Sequence, residues 1–187
     1  MPCDLSHESA LAAAGYQTIC GIDEAGRGPL AGPVTVAAVI LPAGFSHPIL
    51  NDSKKLTAAR REKIFVELTT DPLVIWHCVV MDEKEVDRLN ILGATHEGMR
   101  RAAMALVPQP DAALIDGLPV RDFPVFQQAL VGGDGRSLSI AAASVIAKVT
   151  RDQIMLAQDA LFPHYGFAKH KGYGTKEHLR ALFHHGP

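Results

Sequence analysis

The sequence is poor in cysteine: three residues among 187, Cys3, Cys20 and Cys78, and they are widely spaced. An odd number at such spacing argues against a disulfide framework. It also argues against a zinc site, which needs closely paired ligands. Cys20 and Cys78 lie in apolar runs and are expected to be small buried residues. This use of cysteine predicts a reducing, cytoplasmic setting.

Long hydrophobic runs and several enzyme signatures are also missing. The longest apolar run, residues 34–41, is far shorter than the ~20 residues that a membrane-spanning helix needs. The first residues carry no basic start, and the alanine-rich run at residues 10–14 is short, so we expect no secretory signal. No nucleophile elbow, P-loop or dinucleotide fingerprint is present, which leaves serine hydrolases and nucleotide-cofactor enzymes without support.

The net charge of −2 at pH 7 hides an uneven distribution. Residues 51–63 carry five Lys/Arg against two Asp/Glu, and residues 132–187 carry seven against four, with five histidines added. Residues 64–131 carry ten acidic and five basic side chains. An acidic centre between basic stretches suits a metal site that acts on a polyanion, although ordinary solvated faces would also produce this pattern.

The hydrophobic pattern predicts an α/β layered domain with a mixed sheet. Strands are expected at residues 18–23, 34–41, 73–80, 112–115 and 125–131, and helices at residues 53–69, 87–106, 139–161 and 176–183. The first two strands should form a central hairpin with an unusual Gly/Pro connection, and Asn90 should cap a helix. Early strands then pair antiparallel, while later strands cross over through helices.

Three predicted strands end in carboxylates beside a glycine-containing turn. Asp23 and Glu24 close the first strand, Asp116 closes the fourth, and Asp134 follows the fifth. Neighbouring strand ends converge on one edge of such a sheet, where four carboxylates would repel one another unless cations lie between them. Mg²⁺ or Mn²⁺ would suit this oxygen-rich cluster and phosphate chemistry. For any single Asp-Gly pair, an ordinary turn is the alternative.

Two further segments have the composition of ligand-binding loops. The turn of Gly26, Arg27 and Gly28 follows the first two acids and could bring backbone N–H groups close to a ligand, although it could also be a simple turn. Ser53 is expected to cap a helix, which would put two lysines, Lys54 and Lys55, near the helix start. Cations are unfavourable there unless they bind an anion.

A third segment, residues 169–175, places Tyr173 between two glycines among basic residues. A tyrosine in this setting could present its ring to a sugar or base, as aromatic side chains do in nucleic-acid sites. The alternative is a loop tyrosine that covers apolar surface.

Together these segments resemble the signature of type 2 ribonuclease H, bacterial ribonuclease HII. The resemblance covers residues 18–183 in family order. It is carried by residues 21–33 (GIDEAGRGPLAGP), 51–56 (NDSKKL), 89–92 (LNIL), 114–117 (LIDG), 139–144 (SIAAAS), 147–152 (AKVTRD) and 170–175 (HKGYGT).

The resemblance implies a ribonuclease H-like mixed β-sheet flanked by helices, with a catalytic domain at residues 15–160 and a small C-terminal helical extension at residues 161–187. It implies a metal-dependent endonuclease, using Mg²⁺ or Mn²⁺, that cleaves the RNA strand of RNA–DNA hybrids. The same enzyme would cut 5′ of single ribonucleotides embedded in duplex DNA and would leave 3′-hydroxyl and 5′-phosphate ends. A monomer without membrane association is expected.

The resemblance also assigns roles to residues. The four metal-binding acids correspond to Asp23, Glu24, Asp116 and Asp134. The remaining assignments concern substrate binding. They comprise the recognition turn of Gly26, Arg27 and Gly28, the phosphate-binding Lys54 and Lys55, and the junction-sensing Tyr173.

Two departures from the family pattern are visible. The family usually has Lys-Gly-Asp before the last acid, where this chain has Gly132, Gly133 and Asp134, and we expect Gly133 to mark the place of the missing lysine. The extension also lacks a basic segment that relatives commonly carry after it, so it is expected to be incomplete relative to the family. Two alternatives stay open: a module that binds ribonucleotide-containing duplexes without cutting, and another nuclease of the ribonuclease H fold.

Overall fold

The computed structural model describes residues 3–51, 53 and 56–187. Its strands are β1 (Ile19–Ala25), β2 (Val34–Ile40), β3 (Ile75–Met81), β4 (Ala112–Asp116) and β5 (Phe126–Leu130). Its helices are α1 (Ser6–Ala13), α2 (Ala58–Thr70), α3 (Glu83–Met104), α4 (Leu138–Leu161), α5 (Phe167–His170) and α6 (Lys176–His185). Short 3₁₀ turns occur at Gly133–Gly135 and Pro163–Tyr165.

The strands form one mixed sheet in the order β3-β2-β1-β4-β5. β1 pairs antiparallel with β2, and β2 pairs antiparallel with β3. β4 runs parallel to β1 on one side and to β5 on the other. The mixed sheet and the central hairpin predicted from the sequence are therefore confirmed.

Helices cover both faces of the sheet. On one face, α3 packs Met99 and Ala102 against Ile22 and Val36 of the central strands. On the other face, the alanine-rich start of α4 lies against β2, and α2 packs beside it through Ile64. This burial on both faces explains why β2 is almost entirely apolar.

Helix α4 approaches β1 closely where it crosses the strand at Gly21. A Cβ atom added to Gly21 would stand 2.2 Å from the carbonyl carbon of Ser139 and 2.3 Å from the amide nitrogen of Ile140. Both are backbone atoms and cannot move aside without shifting the helix. Glycine at this position therefore sets the distance between the central strand and α4.

Helix α1 is absent from the sequence-based prediction. It has one polar and one apolar contact with the domain. The buried Glu8 carboxylate accepts hydrogen bonds from the hydroxyls of Ser137 and Ser139, each at 2.6 Å, and from the Ser139 amide. Leu11 packs against β4 and α4. A helix of eight residues with a single buried leucine has too weak an apolar periodicity to be predicted.

Two predicted caps have different outcomes. Helix α2 begins at Ala58, and its cap is Thr57, whose side chain accepts a hydrogen bond from the Arg60 amide. The prediction that Ser53 caps this helix is therefore wrong: Ser53 is buried, and its hydroxyl lies 2.7 Å from that of Ser144. The predicted cap at Asn90 is confirmed. Its side chain accepts from two following amides at a kink inside α3, with φ of 59°.

In the part of the chain that the structure describes, no helix is long and apolar enough to cross a membrane.

Gly21→Ala should lower the free energy of unfolding by about 3 kcal/mol, because the added methyl group meets the backbone of α4. Urea denaturation measures the effect. Gly93→Ala is the matched control: at this helical position the nearest atom to an added Cβ is Leu89 Cβ at 3.4 Å, and alanine should raise stability by up to ~1 kcal/mol. An unchanged denaturation midpoint for Gly21→Ala would contradict the close approach of the two elements.

Candidate active site

Three carboxylates meet at one edge of the sheet. Asp23 lies on β1, Asp116 ends β4, and Asp134 lies in the 3₁₀ turn that follows β5. One carboxylate oxygen from each comes within 4.8 Å of the others. Asp23 and Asp134 are buried, and Asp116 is half-buried. The convergence expected from the parallel strand ends is observed for these three side chains.

The alternation of side chains along a strand explains which acids meet. Gly21 faces α4, so Asp23, two residues later, lies on the same face of the sheet. Ile22 packs in the core beneath α3, so Glu24 follows it on the opposite face. The fourth predicted acid is therefore adjacent to the cluster but not one of the three that meet.

Glu24 instead contacts the glycine turn. One Glu24 carboxylate oxygen lies 3.1 Å from Nη1 of Arg27, an ion pair in which the arginine side chain is half exposed. This contact joins the acidic edge of the sheet to the turn that follows β1.

Hydrogen bonds hold the clustered carboxylates in place. The Glu24 amide donates to one oxygen of Asp23 at 2.7 Å, and the side chain of Ser144 is a further partner of that carboxyl. The Gly133 amide donates to Oδ1 of Asp116 at 2.7 Å. Strand, turn and helix thus each supply a group that fixes the orientation of an acid.

Burial raises the pKa of Asp23 well above its usual range, and the nearby carboxylates of Glu24 and Asp116 raise it further. Between the ordinary and the raised pKa, ionising this group costs folding free energy, so stability without a cation falls as pH rises through that window. A divalent cation would offset both the burial and the repulsion. The donor set is all oxygen, which fits Mg²⁺ or Mn²⁺ better than softer metals.

The predicted glycine turn lies beside the predicted tyrosine. A Cβ added to Gly26, where φ is 112°, would stand 2.4 Å from the Pro33 carbonyl oxygen, so the fold itself requires glycine there. A Cβ added to Gly28 would stand 3.5 Å from Tyr173 Cε1, an ordinary contact. Tyr173 is 45% exposed and, together with the turn, lines a cleft of about 390 Å³.

Several residues of this cleft received no role from the sequence. Its walls include, besides the turn and Tyr173, the side chains of Ile91, Ser144, Lys148 and Arg151. The last three follow an i, i+4, i+7 spacing on α4 and therefore share one helix face. That spacing, within a helix that was predicted, is the signal that could have identified them.

Two predicted binding residues, Lys54 and Lys55, lie outside the described residues. Their neighbour Ser53 lies in the wall of the cleft and is hydrogen-bonded to Ser144.

The two glycines before Asp134 differ in their surroundings. A Cβ at Gly133, the expected place of the missing lysine, would meet Ile140 Cδ1 at 2.7 Å, the end of a side chain that can move. Nothing lies within 4 Å of a Cβ at Gly132, but its φ of 65° favours glycine.

Comparisons with known proteins agree with this geometry. The family model described as Ribonuclease HII matches residues 20–187. Ribonuclease HII of Geobacter sulfurreducens is 54% identical over 180 residues, which cover 96% of this chain and 82% of that protein.

Two solved structures show a similar fold. The ribonuclease H2 from Pyrococcus horikoshii has a TM-score of 0.72 at 24% identity, and the match covers 88% of this chain and 84% of that one. Bst-RNase HIII in complex with Mn²⁺ has a TM-score of 0.63 at 22% identity, covering 95% and 66%.

The matched residues include the three clustered acids, the glycine turn and Tyr173, and they extend over most of the chain. Since the family model matches well over half of the sequence and a relative shares more than half of its residues, this chain belongs to the ribonuclease HII family of metal-dependent ribonuclease H endonucleases.

Proposed function

We propose that this chain cleaves the RNA strand of RNA–DNA hybrids and also cuts 5′ of a single ribonucleotide embedded in duplex DNA. The products carry 3′-hydroxyl and 5′-phosphate ends. The observation that carries the proposal is a cluster of three aspartates, each with a carboxylate oxygen within 4.8 Å of the others. Asp23 of this cluster is followed directly by Glu24, which lines the same cleft as the glycine turn and the exposed Tyr173.

Asp23, Asp116 and Asp134 would hold the divalent cations. Glu24, although it leaves β1 on the other face, lies at the end of the strand and near enough to raise the pKa of Asp23, so it would be the fourth ligand. Bound by these residues, Mg²⁺ or Mn²⁺ would supply the positive charge needed to activate a water and to stabilise the leaving oxygen of an in-line displacement. The protein contributes orientation: the amides of Glu24 and Gly133 fix the carboxylates before substrate arrives.

The turn of Gly26, Arg27 and Gly28 recognises the ribonucleotide. Only the 2′-hydroxyl separates RNA from DNA at one position, and backbone groups can reach it where a side chain would collide. The fold leaves room for a methyl group at Gly28, so glycine there is explained by the approach of a ligand. Arg27, paired with Glu24, connects recognition to the metal-binding acids.

Tyr173 senses the nucleotide that follows the ribonucleotide. Its ring stands 3.5 Å from the position of a Cβ at Gly28, so one nucleotide can contact the turn while the next contacts the ring. A ring packed on a sugar favours deoxyribose, which has no 2′-hydroxyl to bury. Lys54 and Lys55 hold phosphates and give affinity that depends on salt but not on sequence.

The remaining expectations complete the proposal. The catalytic domain comprises residues 15–160, the helical extension comprises residues 161–187, and the chain acts as a monomer. A cytoplasmic setting agrees with the free thiols of Cys20 and Cys78.

Asp23→Asn should lower cleavage of a labelled duplex with one ribonucleotide by at least ~1000-fold in Mg²⁺ or Mn²⁺, because it removes a charged ligand at the centre of the cluster. Duplex binding should be retained or tightened, since the neutral amide no longer repels phosphate. Gel analysis of cleavage and fluorescence anisotropy of binding measure the two effects. Wild type should be inactive with chelator.

The matched control is Asp122→Asn, an exposed acid at a φ of 52° that asparagine also adopts. It should cleave at the wild-type rate. In chelator, Asp23→Asn should melt at or above the wild-type temperature, because the substitution removes a carboxylate that burial destabilises. A melting temperature in that range would show that the loss of cleavage is not a loss of fold. An Asp23→Asn enzyme that cleaves normally would remove Asp23 from the site.

Gly28→Ala should lower cleavage at a single ribonucleotide ~10–100-fold while the melting temperature stays unchanged, because the methyl group fits the fold but blocks the approach of the sugar. Gly26→Ala should lower both activity and stability, since its methyl group collides with Pro33. Steady-state cleavage and thermal denaturation distinguish the two variants. Full activity in Gly28→Ala would count against recognition through this turn.

Tyr173→Ala should lower cleavage at a single ribonucleotide about tenfold more than cleavage of a long RNA–DNA hybrid, because only the first substrate offers a deoxyribose directly after the scissile ribonucleotide. Comparing kcat/KM on the two duplexes measures the difference. Tyr173→Phe keeps the ring and should keep the preference. Equal losses on both substrates would contradict the junction role.

A further inference from the structure

Arg151 is a buried cation beneath the substrate cleft. Its side chain belongs to α4 and is only 1% exposed. The guanidinium donates three hydrogen bonds, all to main-chain carbonyl oxygens: Nε to Pro33 at 2.9 Å, Nη1 to Lys171 at 2.9 Å and Nη2 to Ala31 at 3.0 Å. These acceptors lie in two segments far apart in the sequence.

The two segments are those that recognise the substrate. Ala31 and Pro33 belong to the connection that continues the glycine turn, and Lys171 lies two residues before Tyr173. The segments also touch directly, since the Leu30 amide donates to the Gly172 carbonyl oxygen at 2.8 Å. The planar Arg151 guanidinium thus forms hydrogen bonds with both segments, the one that continues the glycine turn and the one that leads to Tyr173.

The backbone packs closely around the Arg151 guanidinium and its acceptors. A Cβ at Gly26 would stand 2.5 Å from Nε of Arg151, and a Cβ at Gly172 would stand 2.2 Å from the Ala31 carbonyl oxygen. A glycine on each side therefore lets the two backbones close around the guanidinium. The distance between turn and tyrosine is set by this three-way packing.

We propose that Arg151 is a positioning residue for substrate selectivity: it fixes the distance between the glycine turn and Tyr173 at which a ribonucleotide followed by a deoxyribonucleotide is recognised. The inference rests on the proposed function of this cleft. Burying a cation costs desolvation, and an apolar side chain of similar size often serves stability as well or better. The geometry of its three acceptors explains why a cation stands here.

The consequence differs between the two substrates. A single ribonucleotide in DNA is identified only at its junction, so a displaced tyrosine misaligns the scissile phosphate. A long hybrid offers many equivalent positions and does not need the junction. Affinity from phosphate contacts should persist, so the loss should appear in kcat more than in KM. The three hydrogen bonds of the Arg151 guanidinium go to main-chain oxygens, so the metal concentration for half-maximal activity should not change.

The test compares Arg151→Met and Arg151→Lys with wild type on both duplexes, well below the melting temperature of each variant. The selectivity ratio, kcat/KM on the single-ribonucleotide duplex divided by that on the hybrid, should fall about tenfold in Arg151→Met. Arg151→Lys keeps the charge but not the planar guanidinium and should recover only part of the ratio. Arg101→Met is the control: Arg101 pairs with Glu85 and Glu97 on α3, away from the cleft, and its loss should leave the ratio unchanged.

A double-mutant cycle shows whether Arg151 acts through the tyrosine. Added to Tyr173→Ala, Arg151→Met should lower the selectivity ratio little further, because the group that it positions is already gone. Gly172→Ala keeps the buried arginine, whose Nη2 would stand 3.5 Å from the added Cβ, but forces the two segments apart, and it should lower the ratio in the same way. This variant keeps the test decisive if Arg151→Met does not fold.

The outcomes separate the two proposals. Wild-type chain that cleaves neither duplex with either metal would overturn the proposed function, and the role of Arg151 with it. If wild type cleaves both duplexes but the selectivity ratio is unchanged in folded Arg151→Met, only the positioning role of Arg151 would be overturned. If Arg151→Met does not fold, an unchanged ratio in Gly172→Ala would have the same meaning. Equal losses on both duplexes would do the same, since they would show only a structural role.

Discussion

The close approach of α4 to β1 is the contact on which the rest of the site depends. It is possible because Gly21 has no side chain where the backbone of Ser139 passes. From that fixed crossing, the helix places Ser144 beside Asp23, then Lys148 in the wall of the cleft, and then Arg151 beneath the recognition segments. One rigid helix therefore contacts a clustered acid, the wall of the cleft and the two recognition segments.

The same arrangement gathers negative charge in a poorly hydrated place. Asp23 is buried beside two other carboxylates, and its raised pKa expresses both the lost hydration and the repulsion. A protein without a cation ligand would gain stability by replacing these acids with neutral residues. Their presence, held by the amides of Glu24 and Gly133, indicates that the fold accepts this cost for the sake of metal binding.

Much of the fold could be predicted because its elements carry strong local patterns. The apolar β2, the alanine-rich α4 and the capping asparagine at residue 90 each leave a clear pattern in the sequence. The incorrect or missing predictions share a cause: the segments concerned are held by tertiary contacts, which local sequence patterns do not show. Ser53 looks like a helix cap but bonds to Ser144 across the fold, and α1 is held by Glu8 and the distant Ser137 and Ser139.

The family, the acids at the strand ends and the recognition turn depend on residue types at fixed local spacings, so the amino-acid sequence is enough to identify them. Which of the acids meet depends on how the strands are arranged in the folded sheet. Side-chain alternation along β1 puts Asp23 in the cluster and Glu24 on the opposite face, beside Arg27. The tertiary structure also brings Arg151 to two segments that are more than a hundred residues apart. No local sequence pattern identifies the carbonyl oxygens to which a buried guanidinium will bond.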